Sequence, residues 1–166
     1  METTLNQLID LLDQATALYR SLLIALRRER DALTNASVRK LDEARQEKQN
    51  LACRLESLEE ERSRLLARLG EALGCTHPEL NLTRLVQLVE GPHAARLQTC
   101  RSNLSDLVPA VRQANQHNQL LFRHALELVR GSYHMLNHLV TASPVYYRTG
   151  DMQRCEPTGR FLMGEI

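Results

Sequence analysis

The sequence predicts an all-α protein: an antiparallel long-helix bundle or coiled coil of three main helices, with a short connecting helix and a flexible C-terminal tail. Three observations carry this. Apolar residues recur at alternating steps of three and four over most of the chain, the spacing that lines one face of a helix. The 166 residues are 43% hydrophobic yet include two Phe, four Tyr and no Trp, so the core is built from Leu, Val and Ala, as suits helix-on-helix packing. Helix-breaking and capping residues cluster between the periodic stretches.

The first line is Leu5, Leu8, Leu12, Ala15, Leu18, Leu22 and Ala25, which predicts a helix from Thr4 to about Leu33 with Thr3 or Thr4 as its cap. Thr34-Asn35-Ala36-Ser37 breaks it and starts the next, and so short a connection implies an antiparallel neighbour. The second helix, about Ser37 to Leu73, has the most regular seam: Leu41, Ala44, Lys48, Leu51, Leu55, Leu58, Arg62, Leu65, Leu69 and Ala72. Glu59 with Arg62 and Glu60 with Arg64 have the spacing of surface ion pairs. Gly74-Cys75-Thr76-His77-Pro78 ends that helix. Asn81 then caps a short helix through Leu82, Leu85, Val86 and Val89, stopped by Gly91-Pro92. A last long helix runs from about His93 to Val140, with Pro109 bending it because proline cannot donate the i to i−4 bond. Residues 1–140 thus read as one helical domain, and residues 141–166, with Pro144, Gly150, Pro157, Gly159 and Gly164, as a mobile tail.

Composition removes several function classes. Twenty-one basic against twenty acidic residues leave a formal charge of +1, which gives no footprint for nucleic acid or an anionic membrane. The longest apolar run, Leu22 to Leu26, falls far short of the roughly 20 residues that span a bilayer. The start, Met1-Glu2-Thr3-Thr4-Leu5-Asn6, lacks the pattern of a signal peptide, so a cytoplasmic location and no integral membrane segment are expected. Cys53, Cys75, Cys100 and Cys155 form no C-x-x-C pair and read as reduced thiols.

Catalytic motifs are missing. The two lysines, Lys40 and Lys48, sit in a helical pattern without a phosphate-binding glycine loop, and no G-x-S-x-G elbow is present. His134 and His138 are one turn apart, with His117, His124 and Glu127 nearby, but helix-surface histidines are more often solvated than metal-bound. No enzyme activity, cofactor or metal is expected.

The last helix is the most informative. Its line Leu104, Val108, Val111, Asn115, Asn118, Phe122, Ala125, Val129 places Asn115 and Asn118 on the seam, where a polar residue fixes register and partner at some cost in stability. Farther on, Phe122, Leu126, Val129, Tyr133, Leu136 and Val140 form one apolar line, and Leu121, Ala125, Leu128, Met135 and Leu139 the adjacent one. A two-helix hairpin buries one seam. The second line therefore packs on a third helix or on something outside the molecule. Charges between Gly91 and Val140 are few, which suits either alternative.

These features resemble the FlgN-type flagellar export chaperones. Glu47-Lys48 with Leu51, Leu55 and Leu58, leading to Arg62, Leu65 and Leu66, is similar to the family's E-K-x-x-L and R-x-x-L-L segments. Asn115 and Asn118, followed by Leu121, look like its paired asparagines, and Val145-Tyr146-Tyr147-Arg148-Thr149-Gly150 like its tail tyrosine with a glycine turn. Unlike many members, the chain lacks a tryptophan early in the last helix. The resemblance implies a cytoplasmic chaperone that binds C-terminal amphipathic helices of hook-filament junction (hook-associated) proteins and delivers them to the type III export apparatus. It is expected to be a monomer when free. On that footing the client-binding residues are Phe122, Leu126, Val129, Tyr133, Leu136 and Leu139, and Tyr146 docks on the export gate. A self-associating coiled-coil scaffold or tether is the alternative.

Overall fold

A computed structural model of the chain describes residues 2–74, 82–89 and 91–141. The described elements are four helices: α1 (Glu2–Thr34), α2 (Val38–Leu73), α3 (Leu82–Leu88) and α4 (Pro92–Thr141). The expected boundaries agree to within two residues, and α4 is helical through Pro109. The Asn81 cap, the segment after Gly74 and the tail beyond Thr141, with Tyr146, lie outside the described residues.

Contacts divide the chain after Leu121 into two compact units. In the first, α1 meets α2 through Leu5, Leu8 and Leu12 against Leu65, Leu66 and Leu69 at one end. At the other end Arg28 meets Glu47 and Glu29 meets Lys48, so the two helices are antiparallel. α4 runs parallel to α1: Leu97 and Cys100 pack near Leu8, and Asn118 reaches Leu26 and Glu29. Because α1 is shared between α2 and α4, it buries more than its one seam. Ile9, Leu11, Thr16, Leu26, Glu29 and Ala32 are also interior.

The turn between α1 and α2 closes α1 with a left-handed residue. Ser37 N–H donates to the Ala32 carbonyl (3.0 Å) and Ala36 N–H to Leu33 (3.2 Å), the two bonds of a Schellman end. The position that must be left-handed falls on Ala36, at φ +49°. An L side chain there carries a steric cost that glycine avoids. Gly74 holds the equivalent place after α2, at φ +67°, its N–H directed to the carbonyls of Gly70 and Glu71.

Two polar features sit in the helical core. Cys100 is buried and its thiol donates to Asp13 Oδ1 (3.2 Å), while Arg96 spans Asp10 and Asp13 on the surface beside it. Burial, and then the Asp13 carboxylate, push this thiol from its ordinary 9.0 to about 11. The second is a three-helix node. Glu29, 6% exposed, accepts from Lys48 Nζ of α2 through Oε1 (2.5 Å) and from Asn118 Nδ2 of α4 through Oε2 (2.8 Å). The same amide nitrogen donates to the Leu26 carbonyl at 2.8 Å. Asn115, one turn earlier, is half-buried and has no side-chain hydrogen bond among the described residues.

Three outcomes are expected from this packing. Asn118→Ala leaves Glu29 Oε2 without its donor and lowers stability by about 1–3 kcal/mol in urea unfolding, whereas Asn115→Ala stays within about 0.5 kcal/mol. Ala36→Gly relieves the left-handed turn and raises stability by roughly 0.5–1 kcal/mol, read as a higher Tm. Iodoacetamide at pH 8 labels exposed Cys53 in the folded chain but reaches Cys100 only in denaturant. Because folding raises the Cys100 pKa, its contribution is fully present below pH 9.0 and is lost as pH rises toward about 11.

Candidate helix-docking surface

α4 changes character along its length. Up to Asn118 it sends Leu97, Cys100, Val111 and Asn118 into the interior, and Asn118 is its last buried residue among those described. The apolar periodicity continues without a break, but the side chains are exposed. Phe122, Leu126, Val129, Tyr133, Leu136 and Leu139, the six residues expected to bind a client, range from 39% to 65% exposed. Among the described residues, the two adjacent apolar lines that the sequence left open are not absorbed into an interior.

Helical geometry brings the six together on one face, since residues three, four and seven apart fall on the same side. Two further side chains belong with them. Leu128 and Met135 are 73% and 67% exposed, the highest values on this face. The sequence showed their apolar line, yet the expected set of docking residues drew mainly on the neighbouring one. Together the eight present on the order of 800 Å² of apolar surface, above the ~300–600 Å² of a typical monomer's largest patch. That is about one partner's share of a standard specific interface.

The back of the same segment is polar, with Arg123, Glu127, Arg130, His124, His134 and His138. Arg123 and Glu127 are four residues apart and Glu127 and Arg130 three apart, yet neither pair closes into an ion pair among the described residues. For Arg123 and Glu127 the order is the weaker one, because Arg ahead of Glu opposes the helix dipole. The histidines are exposed, and no group of three His, Cys, Asp or Glu side chains able to hold a metal occurs among the described residues.

The first unit has its own concavity of about 420 Å³, lined by apolar side chains of all four helices, including Leu11 and Tyr19, Leu55, Leu82, Leu104 and Val108. Glu59 and Arg62 sit at its edge, with Arg62 Nε donating to Glu59 Oε2 at 2.7 Å and Nη2 to Oε1. That hydrogen bonding holds the Glu59 carboxyl below its ordinary range against the opposing effect of burial, and raises the Arg62 guanidinium. Of the two carboxylates that line the concavity, Glu59 is thus already neutralised by a guanidinium, and Glu56 is the other.

Two of the three motifs behind the family resemblance converge in space. Lys48, of the Glu47-Lys48 pair, and Asn118, of the paired asparagines, both bind Glu29, and Glu47 pairs with Arg28 at 3.0 Å. Tyr146 belongs to the third motif and is outside the described residues.

No described helix is long and apolar enough to cross a membrane. Neither curated proteins nor solved structures give a match to the chain. A protein-family model described as FlgN protein matches residues 1–154. With helices, seam motifs and family match spanning nearly the whole sequence, the chain belongs to the FlgN family of flagellar export chaperones and binds flagellar substrate proteins.

Proposed function

We propose that the chain is a cytoplasmic chaperone for hook-filament junction proteins. It holds their C-terminal amphipathic helices on the α4 face made by Phe122, Leu126, Val129, Tyr133, Leu136 and Leu139. The observation that carries this reading is a continuous apolar helix face left exposed in a member of a chaperone family. Amphipathic client helices polymerise when their own faces meet, and a helix-in-groove complex covers those faces until export. Such capping needs no nucleotide.

Release is part of the task, so the affinity is on the order of micromolar, about −8 kcal/mol, in place of an obligate interface. The free chain is read as a monomer. Asn118, with Asn115 on the same line, is read as fixing helix register, which the Glu29 hydrogen bond supports for Asn118. The tail, residues 141–166, is read as the part that docks on the type III export apparatus, with Tyr146 as an aromatic anchor bearing a polar tip.

Val129→Asp or Leu136→Asp is expected to abolish pull-down of a junction-protein C-terminal segment and leave the circular dichroism helical, since both positions are exposed. Retained binding places the site elsewhere. Deleting residues after Thr141 is expected to keep client binding and stop export, and loss of client binding refutes that division of labour. Light scattering separates the scaffold alternative, which requires a stable dimer or larger species without client.

A further inference from the structure

We propose that the exposed α4 face seats two client helices side by side, and that the one beside Arg123 and Arg130 carries an acidic flank. This rests on the reading above that the face binds a client, and concerns what the client must look like.

The first argument is width. Leu126 and Leu128 are two residues apart, so they point about 160° apart around the helix. Both are exposed and apolar, and each is repeated seven residues on, as Tyr133 and Met135. Val129 and its line fill the arc between them. A helix that packs on one partner uses a narrow two-line seam, and the lines flanking that seam are normally charged and wet. Here both flanking lines are apolar, as in a helix with a neighbour on either side inside a bundle. One docked helix would cover one margin and leave the other in water.

Charge is the second argument. Arg123 and Arg130 are one heptad apart and border the margin of Leu126 and Tyr133. Neither is paired with Glu127, the one carboxylate of this stretch. Two guanidinium groups one heptad apart, without an ion-pair partner among the described residues, match carboxylates at the same spacing on a docked helix. A second copy of this face is disfavoured by the same charges. In an antiparallel symmetric pairing this margin meets its own counterpart, which sets arginine against arginine.

The test uses the full chain with the C-terminal segment of a hook-filament junction protein, and a photo-crosslinking phenylalanine placed at position 126 or 128. The expected result is adducts on two different client helices. Leu126→Asp and Leu128→Asp should each weaken binding by about tenfold or more, and the Arg123→Glu, Arg130→Glu pair should weaken it with a shallower salt dependence. Adducts from both positions on a single client helix, or one margin substitution without effect, overturn the two-helix arrangement. Unchanged affinity on reversing both arginines overturns the acidic flank, and adducts between two chaperone chains with a dimer mass assign the face to a second copy. If Val129→Asp also leaves binding intact, the reading of α4 as the client face fails, an outcome distinct from the others.

Discussion

Glu29 is the constraint on which the helical arrangement turns. A carboxylate withdrawn from water costs several kcal/mol unless it is paired and hydrogen-bonded. Its two oxygens are served by different helices, Lys48 of α2 and Asn118 of α4. Leucine seams that repeat every seven residues tolerate a slip of one heptad with little change in what is buried. Such a slip would leave Glu29 with neither donor, an interior carboxylate without its partners. The neighbouring Arg28–Glu47 pair is exposed on both sides and adds little to this constraint.

Much of this was legible in the sequence because the repeating pattern and the breakers agree. Helix limits follow from the break at residues 34–37, where the Ser37 side chain makes no capping bond, and from Gly74 and Pro92, and the pairs Glu59–Arg62 and Glu60–Arg64 follow from spacing alone. Glu29 was not legible. It stands in Arg27-Arg28-Glu29-Arg30-Asp31, a run that reads as solvated surface, and it is interior where α2 and α4 both meet α1. Ala36 was hidden for a related reason: composition marks residues 34–37 as a break, but the left-handed site is set by counting from the last helical residue. It falls one place past Asn35, which tolerates that conformation better.

For the docking face, periodicity found the apolar lines but could not choose between an internal neighbour and an external one. Both alternatives bury the same residues, so only exposure separates them, and exposure is a tertiary property. The same limit explains why Leu128 and Met135 were read as apolar but not placed among the docking residues. A seam of two lines is sufficient for any single pairing, and nothing in the spacing says how many neighbours a helix has.

A helix with so little burial must still persist if it is to present a face. Starting a helix is the costly step, because several residues are fixed before the first hydrogen bond forms, whereas extension adds a bond with each residue. α4 is anchored by Leu97, Cys100, Val111 and Asn118, and residues 122–139 extend that same helix. Their composition suits extension: Leu, Ala, Met, Arg and Glu are good helix formers, with Gly131 the weak point. A face already helical before a client arrives loses less entropy when it binds, which leaves more of the apolar contact as net affinity. The cost is about 800 Å² of apolar surface in water, more than a monomer commonly exposes, on a segment whose reverse side stays polar.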